Sequence, residues 1–284
     1  MASIGTTALV IEATDGSLEV DNKRPRRKKF RTWRLIVMVV AAAYFAAPLY
    51  AGMKFALQND SGHFSFWAFQ SLPSSEGFSA AFFLSMRLAI FTAVVELLLM
   101  VPTAIFVHLR LPKLRPMMDF ITILPIVVPP IVLIVGVLGS APLWLKSSPY
   151  LLSIFYVVLA MPFVYRSLDA GLTAIDLKTL VEASRSLGGS WIRTLLGVIM
   201  PNLRAALLSA TALTLALVFG EYTMANLDGW TTMPVWIAQF QQSDAHVTLA
   251  AAMALLIGTW ILLSIIVAAD RSQSRRRRRK AGTL

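Results

Sequence analysis

Apolar residues come in long runs along this chain, separated by shorter polar stretches. Six runs reach the roughly 20 residues a helix needs to cross the hydrocarbon core of a bilayer: 35 to 56, 80 to 107, 118 to 138, 151 to 170, 204 to 226 and 247 to 269. Within them apolar side chains lie all round the helix, so periodicity singles out no one face, as expected of spans buried in lipid and in each other. The pattern predicts an all-α integral membrane protein with six transmembrane helices. Composition agrees: 57% of residues are hydrophobic and 14% charged, mean hydropathy is +0.68, and soluble domains use about 25% charged residues.

An even number of spans places both termini on one side, and the basic residues say which. Eight of the 26 Lys and Arg precede the first span, three lie in 108 to 117, five run from Arg166 to Arg204 and seven follow the last span. Only Lys54 and Lys146 fall on the opposite face, while Arg87 is inside the second span. Positively charged connections stay in the cytoplasm, so both termini and the 108 to 117 and 166 to 204 loops are expected there. This distribution also explains the net charge of +11 without nucleic acid as a partner, because the run Arg275 to Lys280 follows directly on a span. That run is expected to enforce topology, with attraction to membrane lipid of anionic head group as the sharper alternative. Residues 1 to 34 read as a disordered basic cytosolic tail, 35 to 270 as the membrane domain and 271 to 284 as a second basic tail. The first apolar run is too long for a cleaved secretory signal. A multi-pass membrane protein with both termini in the cytoplasm is expected.

Candidate chemistry is sparse. Without cysteine there is no thiolate ligand or nucleophile, and His63, His108 and His246 stand apart from one another, so neither a metal site nor a cofactor is expected. No GxSxG or paired-aspartate motif points to an enzyme. Ionised side chains inside a bilayer are costly and therefore functional candidates. Arg87, Glu96 and Glu221 are the three here. Arg87 and Glu221 sit at similar depth and invite mutual pairing; alternatively Glu96 and Glu221 line a polar translocation pathway for a cationic or hydrogen-bonding solute. Pro102, Pro125, Pro129, Pro130 and Pro162 predict bent helices, with the adjacent Pro129 and Pro130 the strongest candidates for a break. In the external loop 226 to 246, Trp230 and Trp236 fit interfacial anchors and Pro234 a helix start.

The stretch EASRSLGGSWIRTLLGVIMP, residues 182 to 201, lies in the longest internal cytoplasmic loop. Asp176 is a candidate N-cap, and Leu177, Leu180, Val181, Ser184 and Leu187 recur at helical spacing along one face. Gly188 and Gly189 supply a stop, and Ser190 can cap a second short helix from Trp191 to Leu196. Two short amphipathic helices with a sharp turn cannot bury their apolar stripe alone. They need the bundle, the membrane surface or another protein.

These residues resemble the inner-membrane permease subunits of binding-protein-dependent ATP-binding cassette importers of the type I fold. The family's cytoplasmic signature is E-A-A, three residues, G, nine residues, I-x-L-P. Here Glu182-Ala183-Ser184, three residues, Gly188, nine residues and Val198-Ile199-Met200-Pro201 keep that spacing, with Ser184, Val198 and Met200 as departures. The general resemblance covers about residues 80 to 270. It implies that Glu182, Ala183, Ser184, Gly188 and Pro201 belong to a coupling element that docks on a cytosolic ATP-binding subunit. It also implies a second permease subunit, in a heterodimer, and an extracytoplasmic solute-binding protein. The chain carries no GxxxxGK[ST] phosphate loop, so ATP hydrolysis falls to the partner. Within the family the FGEY segment resembles the branch handling polyamines, iron, sulfate, molybdate, thiamine and phosphonates. The two intramembrane acids favour spermidine or putrescine, with those other solutes as alternatives. A self-contained channel or secondary carrier, coupled through the same charges, is the reading from another class.

Overall fold

A computed structural model describes residues 32–59 and 61–281. Most of the tail expected at 1 to 34 lies outside them. Two units are distinguished, meeting between Pro48 and Leu49. The first holds the N-terminal part of helix α1 (Thr32–Ala56), where Trp33, Met38, Tyr44 and Phe45 are exposed. An apolar helix with this much bare surface needs lipid or a protein partner as its solvent.

The second unit is helical throughout, and its described residues contain no strand, only the isolated bridge between Gln58 and Phe64. After the short α2 (Trp67–Ser71), α3 (Phe78–Arg110) is the longest continuous apolar helix of the core. The third expected span is not one helix: α4 (Arg115–Val127) and α5 (Pro130–Ser140) meet at 85°. The cause is local. Val128 and Pro129 each precede a proline and are driven out of helical geometry to ψ 122° and 135°. The short α6 (Leu143–Lys146) then leads into α7 (Tyr150–Thr173).

Two apolar clusters show how the core helices run. Leu88 and Ala93 of α3 pack with Leu152 and Tyr156 near the start of α7, whereas Val101 and Ile105 pack with Val164 and Leu168 near its end. The two helices are therefore parallel. The bent pair between them carries the chain back from one end of the bundle to the other. Helix α10 (Met200–Gly220) runs antiparallel to both, with Leu203 in the second cluster and Val218 in the first. It packs so closely on α7 that a Cβ on Gly171 would stand 2.5 Å from that of Ala206, and Ser167 Oγ donates to the Ala206 carbonyl at 2.9 Å. The interface uses small residues and an interhelical hydrogen bond in place of a hydrophobic driving force that lipid would remove.

Between α7 and α10 lie α8 (Leu177–Ser186) and α9 (Trp191–Thr194). Beyond α10 come α11 (Thr223–Leu227), α12 (Met233–Phe240) and α13 (Ala245–Ala281). Trp236, Met233, Ala251 and Leu72 form a third cluster around α12. The basic C-terminal segment continues α13 as helix through Ala281. Among the described residues five helices are long and apolar enough to cross a membrane, or six if the bent pair is one span.

Candidate functional site

The candidate coupling element is built by caps. Asp176 Oδ1 accepts the Thr179 amide at 3.3 Å and Oδ2 the Thr179 hydroxyl at 2.7 Å, which fixes the start of α8 and holds the Asp176 carboxyl below its ordinary pKa. Leu177 is buried, and Leu180 and Val181 are half-buried. At the far end Gly189 N donates to Ser184 O at 2.9 Å and Gly188 N to Arg185 O at 3.0 Å. That pair of bonds is the Schellman motif. It requires Gly188 at φ +80°, a conformation costing other residues about 1–2 kcal/mol. A Cβ on Gly189 would fall 2.7 Å from the Ser184 carbonyl oxygen, so both glycines are used, for different reasons.

The second helix differs from the short unit expected over 191 to 196. Ser190 caps α9 through the Arg193 amide at 3.4 Å. The chain then widens into a π turn over Leu195–Ile199, closed by Met200 N on Leu195 O, and passes directly into α10. Pro201 lies in the first turn of α10, where its missing N–H leaves a helical acceptor without a donor. The π turn sits in the turn just before it, as helix irregularities commonly sit beside proline. Residues 191 to 220 are thus one continuous 30-residue helix, joining the turn after α8 to the bundle core.

Helix α8 presents Glu182, Ala183, Ser186 and Leu187 outward. Leu187 is 89% exposed, more than any other large apolar side chain described. Helical spacing placed it on the buried stripe, but it is the C-cap residue, where the wheel no longer applies. Its position just before a left-handed glycine was the available signal. Glu182 is exposed, with Lys178 Nζ 3.9 Å away, a separation of little energetic value at a wet surface.

The three intramembrane charges do not meet. Glu221 ends α10 and turns its carboxylate onto the start of α11: Oε1 accepts the Met224 amide at 2.8 Å, and Oε2 the Ala225 amide at 3.3 Å and the Tyr156 hydroxyl at 3.1 Å. Two amides at the start of α11 and a phenol therefore hold this carboxyl group in place. Among the described residues Arg87 forms no ion pair with it. Arg87 is exposed on the side of α3 that also carries Phe83, Ile90, Phe91, Val94 and Leu98. Glu96 lies on the opposite, buried side at 0% exposure, one turn from buried Thr92, and neither residue's side-chain oxygens have a hydrogen-bond partner. An open groove of about 680 Å³ begins next to Glu221, lined by Phe219, Tyr222, Ile237, Leu255 and Trp260.

A polar clamp went unseen in the sequence. Asp169 Oδ1 accepts from Arg115 Nε and Nη2 at 3.2 and 2.8 Å, His108 Nε2 stands 3.1 Å from it, and Arg115 also reaches Thr173 Oγ1 at 2.7 Å. It ties the ends of α3 and α7 to the start of α4. Its members are too far apart along the chain for any motif. Among the described residues no group of three or more His, Asp or Glu is placed to hold a metal ion.

Comparison with known proteins places these features in a family. Residues 77–279 match the binding-protein-dependent transport system inner membrane component. A protein of Salmonella typhimurium, provisionally named as the 2-aminoethylphosphonate transport system permease PhnV, is 28% identical over 158 residues, covering 53% of this chain and 59% of the relative. A Haemophilus influenzae protein, provisionally named as ferric transport system permease FbpB 1, is 38% identical over 96 residues, 33% of this chain and 15% of that one. The chain thus spans little more than half of the first relative's length. These names give the polyamine branch no support. The family match covers α8 and its glycine turn, the core helices and most of α13, and this chain belongs to the inner-membrane permease components of binding-protein-dependent ATP-binding cassette transporters.

Proposed function

We propose that this protein is one permease subunit of an ATP-driven importer, forming part of a solute path across the bacterial cytoplasmic membrane. The bent pair α4–α5 serves as the third of six crossings. Were it re-entrant, the segment Arg166 to Arg204 and its five basic residues would lie outside, against the positive-inside rule. Both termini and the coupling element are then cytoplasmic. The observation that carries the reading is α8, held by Asp176 and the Gly188 turn, offering an exposed Leu187 beside Glu182 and Ala183. This small rigid knob suits a groove on a cytosolic ATP-binding subunit. Movement there reaches the core through the continuous helix 191–220 as a rigid body. The chain does not hydrolyse ATP itself; a second, different permease subunit and an external binding protein complete the importer.

For the solute, the polyamine expectation loses its physical basis. Glu221 is engaged by Tyr156 and two amides, and Glu96 is enclosed. Arg87 is the charge left on an exposed membrane face, and a cation there favours an anion. A small phosphonate fits this better than ferric iron does, and the name of the Salmonella relative points the same way.

The test is uptake and assembly in cells expressing the chain with its genomic neighbours. Labelled 2-aminoethylphosphonate should enter only with ATP, and an ATPase should copurify with the wild type but not with Leu187→Asp. Copurification unaffected by that substitution would remove the docking role. Uptake of spermidine but not phosphonate would overturn the solute reading.

A further inference from the structure

We propose that a groove beside the coupling element binds an anionic glycerophospholipid of the adjoining leaflet, with its phosphate against α8 and its acyl chain along α3. Two contiguous cavities carry this. The first, about 580 Å³, lies between the end of α3 and one flank of α8 and is lined by Phe106, Leu109, Arg110, Lys178, Val181, Glu182, Arg185 and Trp191. Three cations face one acid there. The Lys178 to Glu182 separation of 3.9 Å leaves that lysine loosely held, and among the described residues Arg110 and Arg185 have no ion pair. The second cavity, about 410 Å³, shares Phe106 and Trp191 with the first and continues over Pro102, Thr103, Ile105 and Leu195.

The order of these residues matches a lipid's own order. Passing back along α3 from Arg110 to Pro102 moves about 12 Å from the helix end into the hydrocarbon region, and the lining changes from cationic to apolar over that distance. Trp191 and Phe106 are exposed at the junction, the depth at which aromatic rings favour the bilayer interface. Arginine pairs with phosphate oxygens through two parallel hydrogen bonds, and basic pockets between membrane helices recruit anionic head groups. A free phosphate would use the first cavity alone. A protein partner would have to enter the apolar slot that runs back along α3 from Phe106 to Pro102. Occupancy would wedge α8 against α3 and so set how firmly the coupling element is seated.

The inference rests on the membrane reading of the chain and not on the solute. The full-length protein, purified in detergent, is examined by native mass spectrometry with phosphatidylglycerol, phosphatidylcholine or inorganic phosphate. Expected is a phosphatidylglycerol adduct retained about tenfold better than phosphatidylcholine, undisturbed by millimolar phosphate, and lost in Arg110→Gln/Arg185→Gln. Equal retention of both lipids, displacement by phosphate, or an unchanged adduct in the double variant would overturn it. Should that variant fail to fold, wild type and Trp191→Phe are compared in bilayers with brominated acyl chains. Brominated phosphatidylglycerol must quench a Trp191 component that brominated phosphatidylcholine quenches less, and equal quenching counts against the proposal. Absence of the lipid from the complex isolated with its ATPase would assign the groove to the protein partner and overturn it too. Failure of the chain to partition into membranes would instead sink the permease reading.

Discussion

The hydroxyl of Ser184 lies 2.8 Å from Thr194 Oγ1, linking α8 to α9 across the glycine turn. Thr194 donates its own proton to the Ser190 carbonyl at 3.0 Å, so Ser184 is the donor between them. Thr194 is fully buried. The family signature has alanine where this chain has Ser184, and the departure provides a cross-brace that alanine cannot make. Ser184→Ala should cost about 1 kcal/mol and leave the fold intact. Its signature is ATP turnover less tightly tied to uptake, read as the ratio of hydrolysis to solute in proteoliposomes. Ser184→Ala and Thr194→Val should be less than additive, because the Ser184–Thr194 bond is lost in both. Full additivity would show that the hydroxyls do not act together.

Leu187 makes the converse case, a large apolar side chain left in water at 89% exposure. Replacing it by Asp should not lower thermal stability in detergent, since surface changes away from packed contacts stay within about 0.5 kcal/mol. ATPase copurification should nevertheless fall at least about tenfold, the loss expected when a central apolar anchor is removed. A lowered melting temperature with assembly retained would reverse this reading and make Leu187 structural.

What could be read from sequence divides along physical lines. The membrane class and all-helical fold follow from run length alone. The caps Asp176, Gly188 and Ser190 were legible because capping is local chemistry, settled within four residues. The broken third span was half legible: Pro129 and Pro130 marked the place, but the 85° bend depends on how the chain returns between parallel helices. Tertiary facts were not legible. The fate of Glu221 required the neighbouring Tyr156 and the start of α11, and the enclosure of Glu96 required knowing which side of α3 faces α7. Three membrane charges looked alike in one dimension, and three dimensions give one to a helix terminus, one to the interior and one to an exposed face.

Gly171 and Ala206 predict where the bundle tolerates no growth. A methyl at Gly171 would stand 2.5 Å from the Ala206 Cβ and 3.3 Å from Leu203 Cδ2. Gly171→Ala should therefore cost about 1–3 kcal/mol by overpacking, seen as a lower melting temperature. Combining it with Ala206→Gly restores the space and should recover a large part of the loss. No recovery in the double variant would locate the strain elsewhere, in the backbone of α7 itself.

Asp228 supplies a pH dependence outside the spans. One of its carboxyl oxygens is buried without a hydrogen-bond partner, and burial raises its pKa from the ordinary 3.8 to about 6. A carboxyl whose pKa is higher folded than unfolded binds its proton more tightly in the folded state. Its contribution is then fully favourable below about pH 4 and lost as pH rises through about 6. The group is partly solvated, so the effect after solvent screening is on the order of 1 kcal/mol. Asp228→Asn keeps the shape and removes the titration. In detergent its melting temperature should exceed that of wild type at pH 7 and converge on it near pH 4. A difference constant across that range would mean that hydrogen bonding by the amide, rather than the charge at Asp228, sets the stability of the loop after α11.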